Sequence, residues 1–379
     1  MSEQTSTEPK LKPLLVDSHL DVAANAYYND RDLTLTLPEI RAAERSDRTA
    51  MTSLPAFGEA SVAVVCASLF VMPASPKSLG NTDVSLPRPM RYYATPEEAE
   101  AQALEQLRTY EEWAEDGRIR ILRNQEDLDI HLRRFRDDGV VGFVIMIEGA
   151  DPIRDPDALP AWFERGVRMI SLAWESTRYA GGTGGSTGLT DFGRELLAGM
   201  AELGIIHDAV HLSEEAFWEA LSMPSRGVCV SHGSARALML PPPGYQTSLP
   251  LNRFLSDEQI AVVARPHGAA SRGVIGLALL NNFLDPRWGF SPQGRETRVT
   301  MGEQGAAQLR HLGEIAGWES IGIGSDTDIA VYGREETPAE LDSVLDWSRI
   351  GDFVPADARD GVLGGNWLRF LGETLPEDS

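Results

Sequence analysis

Leu14-Leu15-Val16-Asp17-Ser18-His19-Leu20-Asp21 is the stretch whose reading decides the fold. Three apolar residues run into a polar cluster, and His19 and Asp21 stand two apart. In an extended strand, residues i and i+2 point to the same face, so one imidazole and one carboxylate project together from a strand end. Both side-chain types ligate zinc-like ions, which makes the pair half of a site for a divalent metal. His-x-Asp alone is a weak signal. It gains weight only where other strand ends supply the missing ligands.

Working outward, apolar runs that start near 61, 140, 167, 205, 227, 273 and 320 join the one at 14, mostly with helical segments between them. Val140 to Ile147 is the strongest and ends directly in Glu148. Ile205 to Val210 leads to His211, Gly227 to Ser231 leads to His232, and Ser320 to Ser325 leads to Asp326. The short Ile119–Leu122 segment is left out of this set. Repeated strand–helix alternation predicts a parallel sheet. Eight units predict a (β/α)8 TIM-like barrel with insertions, in which the active site lies at the C-terminal strand ends. Residues 1–10 read as a flexible tail and 11–379 as one barrel domain. Helix starts are placed at Thr95-Pro96, Thr190-Asp191, Ser213-Glu214 and Ser256-Asp257, from cap residues followed by acids or proline. Residues 71–95, rich in Pro, Ser and Asn, read as a long loop. Ala180–Gly188 is glycine-rich but lacks the lysine of a phosphate-binding loop, and reads as a mobile or tightly turning surface loop without a phosphate role.

The chain has 379 residues, 42% of them hydrophobic, which is ample for a full core. Its formal net charge is −23, which argues against nucleic acid and anionic membranes as partners. Cys66 and Cys229 lie in apolar runs and read as buried thiols, not a disulfide. The polar start of the chain and the lack of a membrane-length apolar run predict a cytoplasmic protein.

His19, Asp21, Glu148, His211, His232 and Asp326 all fall at strand ends. Three histidines and three carboxylates suffice for a binuclear centre with one acid left over. Two such ions, roughly 3.5–4 Å apart, would hold a hydroxide and polarise a carbonyl oxygen. A free carboxylate beside them can pass a proton to a leaving amine. That chemistry is hydrolysis of an amide or a related bond. Asp328 is the alternative to Asp326 for this proton-transfer role. Asp208 reads as a residue orienting an imidazole, or as a turn residue. His131, His267 and His311 read as surface residues, and strand parity leaves the face of His207 open.

In these motifs the chain resembles the membrane (renal) dipeptidase family of zinc peptidases, related to the metal-dependent amidohydrolases. The matching stretches are Asp17–Asp21, Ile147–Gly149, Gly188–Gly193, Asp208–Ser213, Val230–His232, Arg253–Asp257 and Gly322–Asp328, with a weaker match at Gly364–Arg369. The resemblance implies two Zn2+ ions, although other divalent metals would also fit. It gives His19 and Asp21 to one ion, His211 and His232 to the other, and Glu148 to both as a bridge. It makes Asp326 the proton-transfer group and Arg253 the partner of the substrate's terminal carboxylate. It sets Trp174 near substrate, where the animal enzymes carry a histidine that helps hold the scissile carbonyl oxygen. Arg253 is followed by Phe254, where family members often have Arg-Asn. The implied substrate is a small dipeptide, and the implied assembly is a homodimer. An amidohydrolase or lactonase acting on a non-peptide substrate with the same centre is the alternative that Trp174 keeps open. A non-catalytic metal-binding barrel would show the loss of a ligand or of the acid, and neither loss is visible.

Overall fold

Eight parallel strands close on themselves in the computed structural model, which describes residues 13–44, 48–74, 91–243, 245, 247–289, 292–328 and 332–377. They are β1 (Leu15–Leu20), β2 (Val62–Phe70), β3 (Gly142–Glu148), β4 (Val167–Ser171), β5 (Ile206–Asp208), β6 (Val228–Gly233), β7 (Ile275–Leu277) and β8 (Ile321–Ile323). Each pairs with its sequence neighbour, and β8 pairs back onto β1. This is the (β/α)8 barrel expected from the strand count. Arg120–Ile121, omitted from that count, adds a two-residue parallel strand at the outer edge of β3.

The two faces of these strands feed two apolar clusters. Val16, Val64, Cys66, Val144, Met146, Met169, Ile206 and Cys229 touch one another although they come from six different strands. Only the barrel lumen permits that. Alternate residues such as Val65, Ala67, Phe143, Ile145 and Ile147 pack outward against residues of the surrounding helices. Residues that are nearly all buried explain why the strands read as continuous apolar runs. Trp367, Phe370 and Leu371 of the last helix, Asn366–Thr374, join the lumen cluster. Trp367 lies against Gly322 at the start of β8, so this helix floors the end opposite the site.

The helix starts follow their caps. Thr95, Thr190, Ser213 and Ser256 each accept a hydrogen bond from the backbone N–H three residues on. Gly204 ends its helix in the left-handed region at φ +78°. Among the described residues, no helix is long and apolar enough to cross a membrane. Both cysteines are buried and free.

Several expectations need correction or fall outside the described residues. His131 is not a surface residue. It lies on the inner face of the helix Gln125–Asp138 with Leu128 and Phe135, and its Nε2 bonds the Ala63 carbonyl at 2.8 Å. The i, i+3, i+7 spacing of those three residues carried that signal. His311 does sit near the surface, 2.8 Å from Asp257, and His267 is half-buried. His207 is buried, with both ring nitrogens lacking a partner among the described residues. The glycine-rich tract is not a free surface loop, since Ala180 to Thr183 are buried. The tail at 1–10 and the middle of the 71–95 segment lie outside the described residues. The flanks of that segment, Met72–Pro73 and Tyr92–Tyr93, pair as a short parallel sheet.

Candidate metal centre

Glu148 ends β3 on the face of Val144 and Met146, so its carboxylate stands at the rim of the lumen. Its two oxygens face different partners. Oε2 lies 3.4 Å from His19 Nε2, while Oε1 lies 3.1 Å from His211 Nε2 and 3.6 Å from His232 Nε2. His19 Nε2 is also 3.9 Å from Asp21 Oδ1, and the Ser68 hydroxyl donates to that same Asp21 oxygen. Asp326 Oδ2 lies 3.7 Å from His232 Nε2. The six residues expected from the sequence therefore meet at one point above the barrel. Ligand atoms of His19, Glu148 and His232, and of His19, Asp21 and Asp326, fall within 4.8 Å of one another.

The donor chemistry fits divalent metal ions. His211 Nε2 and His232 Nε2 are 3.2 Å apart. Two imidazole nitrogens sharing a tetrahedral zinc stand about 3.3 Å apart, given their roughly 2.0–2.1 Å bonds to it. His19 Nε2 is buried without a hydrogen-bond partner among the described residues. Burial is the main influence on Asp21, Glu148, His211, His232 and Asp326. It pushes Asp21 up to about 7, with the neighbouring Glu148 carboxylate adding to the rise. It raises Glu148, against the pull of the Arg253 cation. It lifts Asp326 well above the usual carboxylate range and holds His211 and His232 well below the usual imidazole value. Buried acids that resist losing protons beside imidazoles that resist gaining them leave a pocket of lone pairs, which a cation would satisfy.

Backbone conformation aims two of these side chains. His211 (φ +65°) and Asp326 (φ +55°) both occupy the left-handed region just past their strands. Such non-glycine conformations persist where the surroundings over-determine them. Asp326 N–H donates to the His19 carbonyl at 3.2 Å, and Ser325 N–H donates to Asp17 Oδ1 at 2.9 Å.

Arg253 is buried beside the cluster. Its guanidinium lies 4.6 Å from the Phe283 ring centre, Nη2 reaches the His232 carbonyl at 3.4 Å, and Nε has no partner among the described residues. Burial draws its pKa down to about 10, against the pull of Asp326 and Glu148. Trp174 is half-buried, its ring centre 6.1 Å from that of His211 and edge-on to Phe70.

Asp328, the alternative to Asp326, points away. Its carboxylate accepts from Arg31, Asn25, Thr52 Oγ1 and the N–H groups of Met51 and Thr52. Two contributors were not singled out in the sequence. Thr183, from the glycine-rich tract, bonds His211 Nδ1 at 2.7 Å. Ser231 bonds the Nδ1 atoms of both His19 and His232 at 3.1 Å. A hydroxyl 28 or 212 residues from its imidazole leaves no pattern in the chain, although Ser231 does immediately precede a ligand candidate.

A family model for membrane dipeptidases (peptidase family M19) matches residues 10–375. A protein from the pqqA 5' region of Klebsiella pneumoniae is 28% identical over 273 residues, covering 67% of this chain and 89% of that one. A dipeptidase of Schizosaccharomyces pombe is 26% identical over 263 residues, covering 65% of this chain and 56% of its own length. The fold is similar to that of a metallo peptidase from Rhodobacter sphaeroides, solved with a phosphinate mimic of the dipeptide L-Ala-D-Ala. That match has a TM-score of 0.72 and 23% identity, and covers 96% of this chain and 100% of the other.

Proposed function

The chain belongs to the membrane dipeptidase family, peptidase family M19, and on that premise we propose that it is a binuclear zinc dipeptidase acting on a small dipeptide with a free C-terminal carboxylate. The observation that carries the two-ion reading is Glu148, whose two oxygens face separate imidazole groups. His19 and Asp21 would hold one ion, His211 and His232 the other, and Glu148 would contribute an oxygen to each. When bound, the ions supply an activated water and polarise the scissile carbonyl. Asp326 takes the proton from the attacking water and returns it to the departing amine. Its side chain is 13% exposed, so it is neither sealed in the core nor open to bulk water. Arg253 receives the substrate carboxylate on its Nε edge, which has no partner among the described residues, and Trp174 stands near substrate beside His211.

The test is a panel of L-L and L-D dipeptides with the zinc-loaded full chain, run beside metal analysis. Two ions per chain and turnover of a dipeptide are expected. Two ions without turnover on any dipeptide would overturn the peptide reading in favour of a non-peptide amide or a lactone. Turnover with a single ion would overturn the binuclear reading.

Arg253 gives a separate expectation. Arg253→Lys loses the planar fork that suits a carboxylate. A lysine keeps the charge but forfeits one of the two charge-assisted hydrogen bonds, about 1.5–3 kcal/mol or roughly 10–100-fold, and this should appear in KM with kcat little changed. Dipeptide amides, which lack the carboxylate, should be cleaved alike by both forms. An unchanged KM for free dipeptides would remove Arg253 from substrate binding.

A further inference from the structure

Ser231 lies in β6, wholly buried, on the lumen face with Cys229. Its hydroxyl oxygen stands 3.1 Å from His19 Nδ1 and 3.1 Å from His232 Nδ1. The Nε2 atoms of both rings face Glu148. A hydroxyl can accept two hydrogen bonds and donate one. Two imidazoles that present bare Nε2 atoms to metal must each carry their proton on Nδ1, and here both protons point at one oxygen. The hydroxyl's own hydrogen then needs an acceptor, and the nearest carboxylate tied to this residue is Asp208. Asp208 Oδ1 accepts the Ser231 N–H at 2.9 Å, and Oδ2 is buried with no hydrogen-bond partner among the described residues. Burial raises the Asp208 carboxyl, and the neighbouring Ser231 side chain and N–H act against that rise.

The serine itself is pinned. Ser18 Oγ from β1 donates to the Ser231 carbonyl at 2.5 Å and also reaches the Ile323 carbonyl in β8 at 2.9 Å. A Cβ on Gly324 would come within 1.8 Å of the Ser231 carbonyl, so only glycine permits this approach. The third imidazole is treated separately, since His211 Nδ1 bonds Thr183.

We propose that Ser231, held by Asp208, is a positioning residue that fixes the tautomer of both His19 and His232 and thereby ties the two metal positions to one hydroxyl. This deepens the binuclear reading above and rests on its assignment of His19 and His232 to different ions. Partners of this kind typically contribute 10–100-fold to metal affinity. Ser231→Ala should therefore weaken both zinc-binding steps by about 10–100-fold, Ser231→Thr should restore them, and Thr183→Val should weaken one step only.

The deciding measurement needs neither metal nor turnover. The full chain has 7 histidines, so long-range 15N–1H spectra of the metal-free, histidine-labelled protein can resolve each ring at about pH 8, where an ordinary imidazole is neutral. His19 and His232 are both expected as Nδ1–H tautomers in the wild type and as mixed tautomers in Ser231→Ala. An Nε2–H tautomer at either ring in the wild type overturns the proposal, without any variant having to fold. So does a Ser231→Ala protein whose two zinc affinities are unchanged, or one in which only a single step weakens. Loss of dipeptidase activity alone bears on the function proposed above and leaves the tautomer result standing.

Discussion

Asp326→Asn is expected to lower kcat by about 10²–10⁴-fold, the usual contribution of a positioned proton-transfer group, while two metal ions remain bound and KM changes little. The substitution is nearly isosteric. Asparagine also tolerates the left-handed backbone that Asp326 adopts at φ +55°. The hydrogen bond from Asp326 N–H to the His19 carbonyl involves only main chain and survives. What disappears is the exchangeable carboxyl proton. Burial lifts that carboxyl well above the usual carboxylate range, and bound cations would act against that rise. Asp326 also clusters with His19 and Asp21 within ligand distance, so a metal-ligand role is the competing assignment. Metal analysis of the variant separates the two. An inactive protein that has lost one ion would make Asp326 a ligand. A fully loaded variant with unchanged kcat would leave the proton transfer to another group.

The barrel was legible because parallel strands buried on both faces leave unbroken apolar runs, and eight such runs are hard to arrange otherwise. The candidate ligands were legible because they end those runs: Glu148 directly follows Ile147, and His232 directly follows Ser231. What supports the ligands was not. Thr183 reaches His211 from a tract whose glycines pointed to a surface turn, and those glycines are there for close approach. A Cβ on Gly181 would meet the Thr187 carbonyl at 1.9 Å, and one on Gly182 would meet Glu175 backbone at 2.4 Å. His131 was misplaced because its polar helical context outweighed its spacing from Leu128 and Phe135. Asp208 was read as orienting an imidazole or as a turn residue, and in the fold its Oδ1 accepts the N–H groups of Ser231 and Val210. Chain order records which face a residue takes more readily than which distant atom it meets.

Asp328 shows the same division, and it carries the largest stability effect expected here. In sequence it is a second acid two residues from Asp326. In the fold it is the hub of a buried ionic network. Arg31 Nη1 donates to its Oδ1 at 2.6 Å, and Oδ2 accepts from Asn25, Thr52 Oγ1 and the Met51 and Thr52 N–H groups. Burial opposes the Arg31 charge, yet Asp328 and Glu44 together hold its pKa above the usual value. Taking away one partner of such a pair strands the other, at a cost of about 3–5 kcal/mol. Asp328→Ala is therefore expected to lower Tm by several degrees, with a matching shift in the denaturant midpoint. Asp328→Asn should fare little better. It keeps the volume, but it loses the charge facing Arg31 and turns an amide NH2 toward donors. An unchanged Tm in both variants would mean that Glu44 alone satisfies Arg31. The consequence should also reach the centre. Asp328 (φ +69°) and Asp326 (φ +55°) share one left-handed turn after β8, and the Asn25 and Thr52 contacts anchor the far end of that turn. Releasing the anchor should therefore lower kcat in the folded fraction as well. Combining Asp328→Asn with Asp326→Asn should then cost no more activity than Asp326→Asn alone, because the anchor acts on the group already removed.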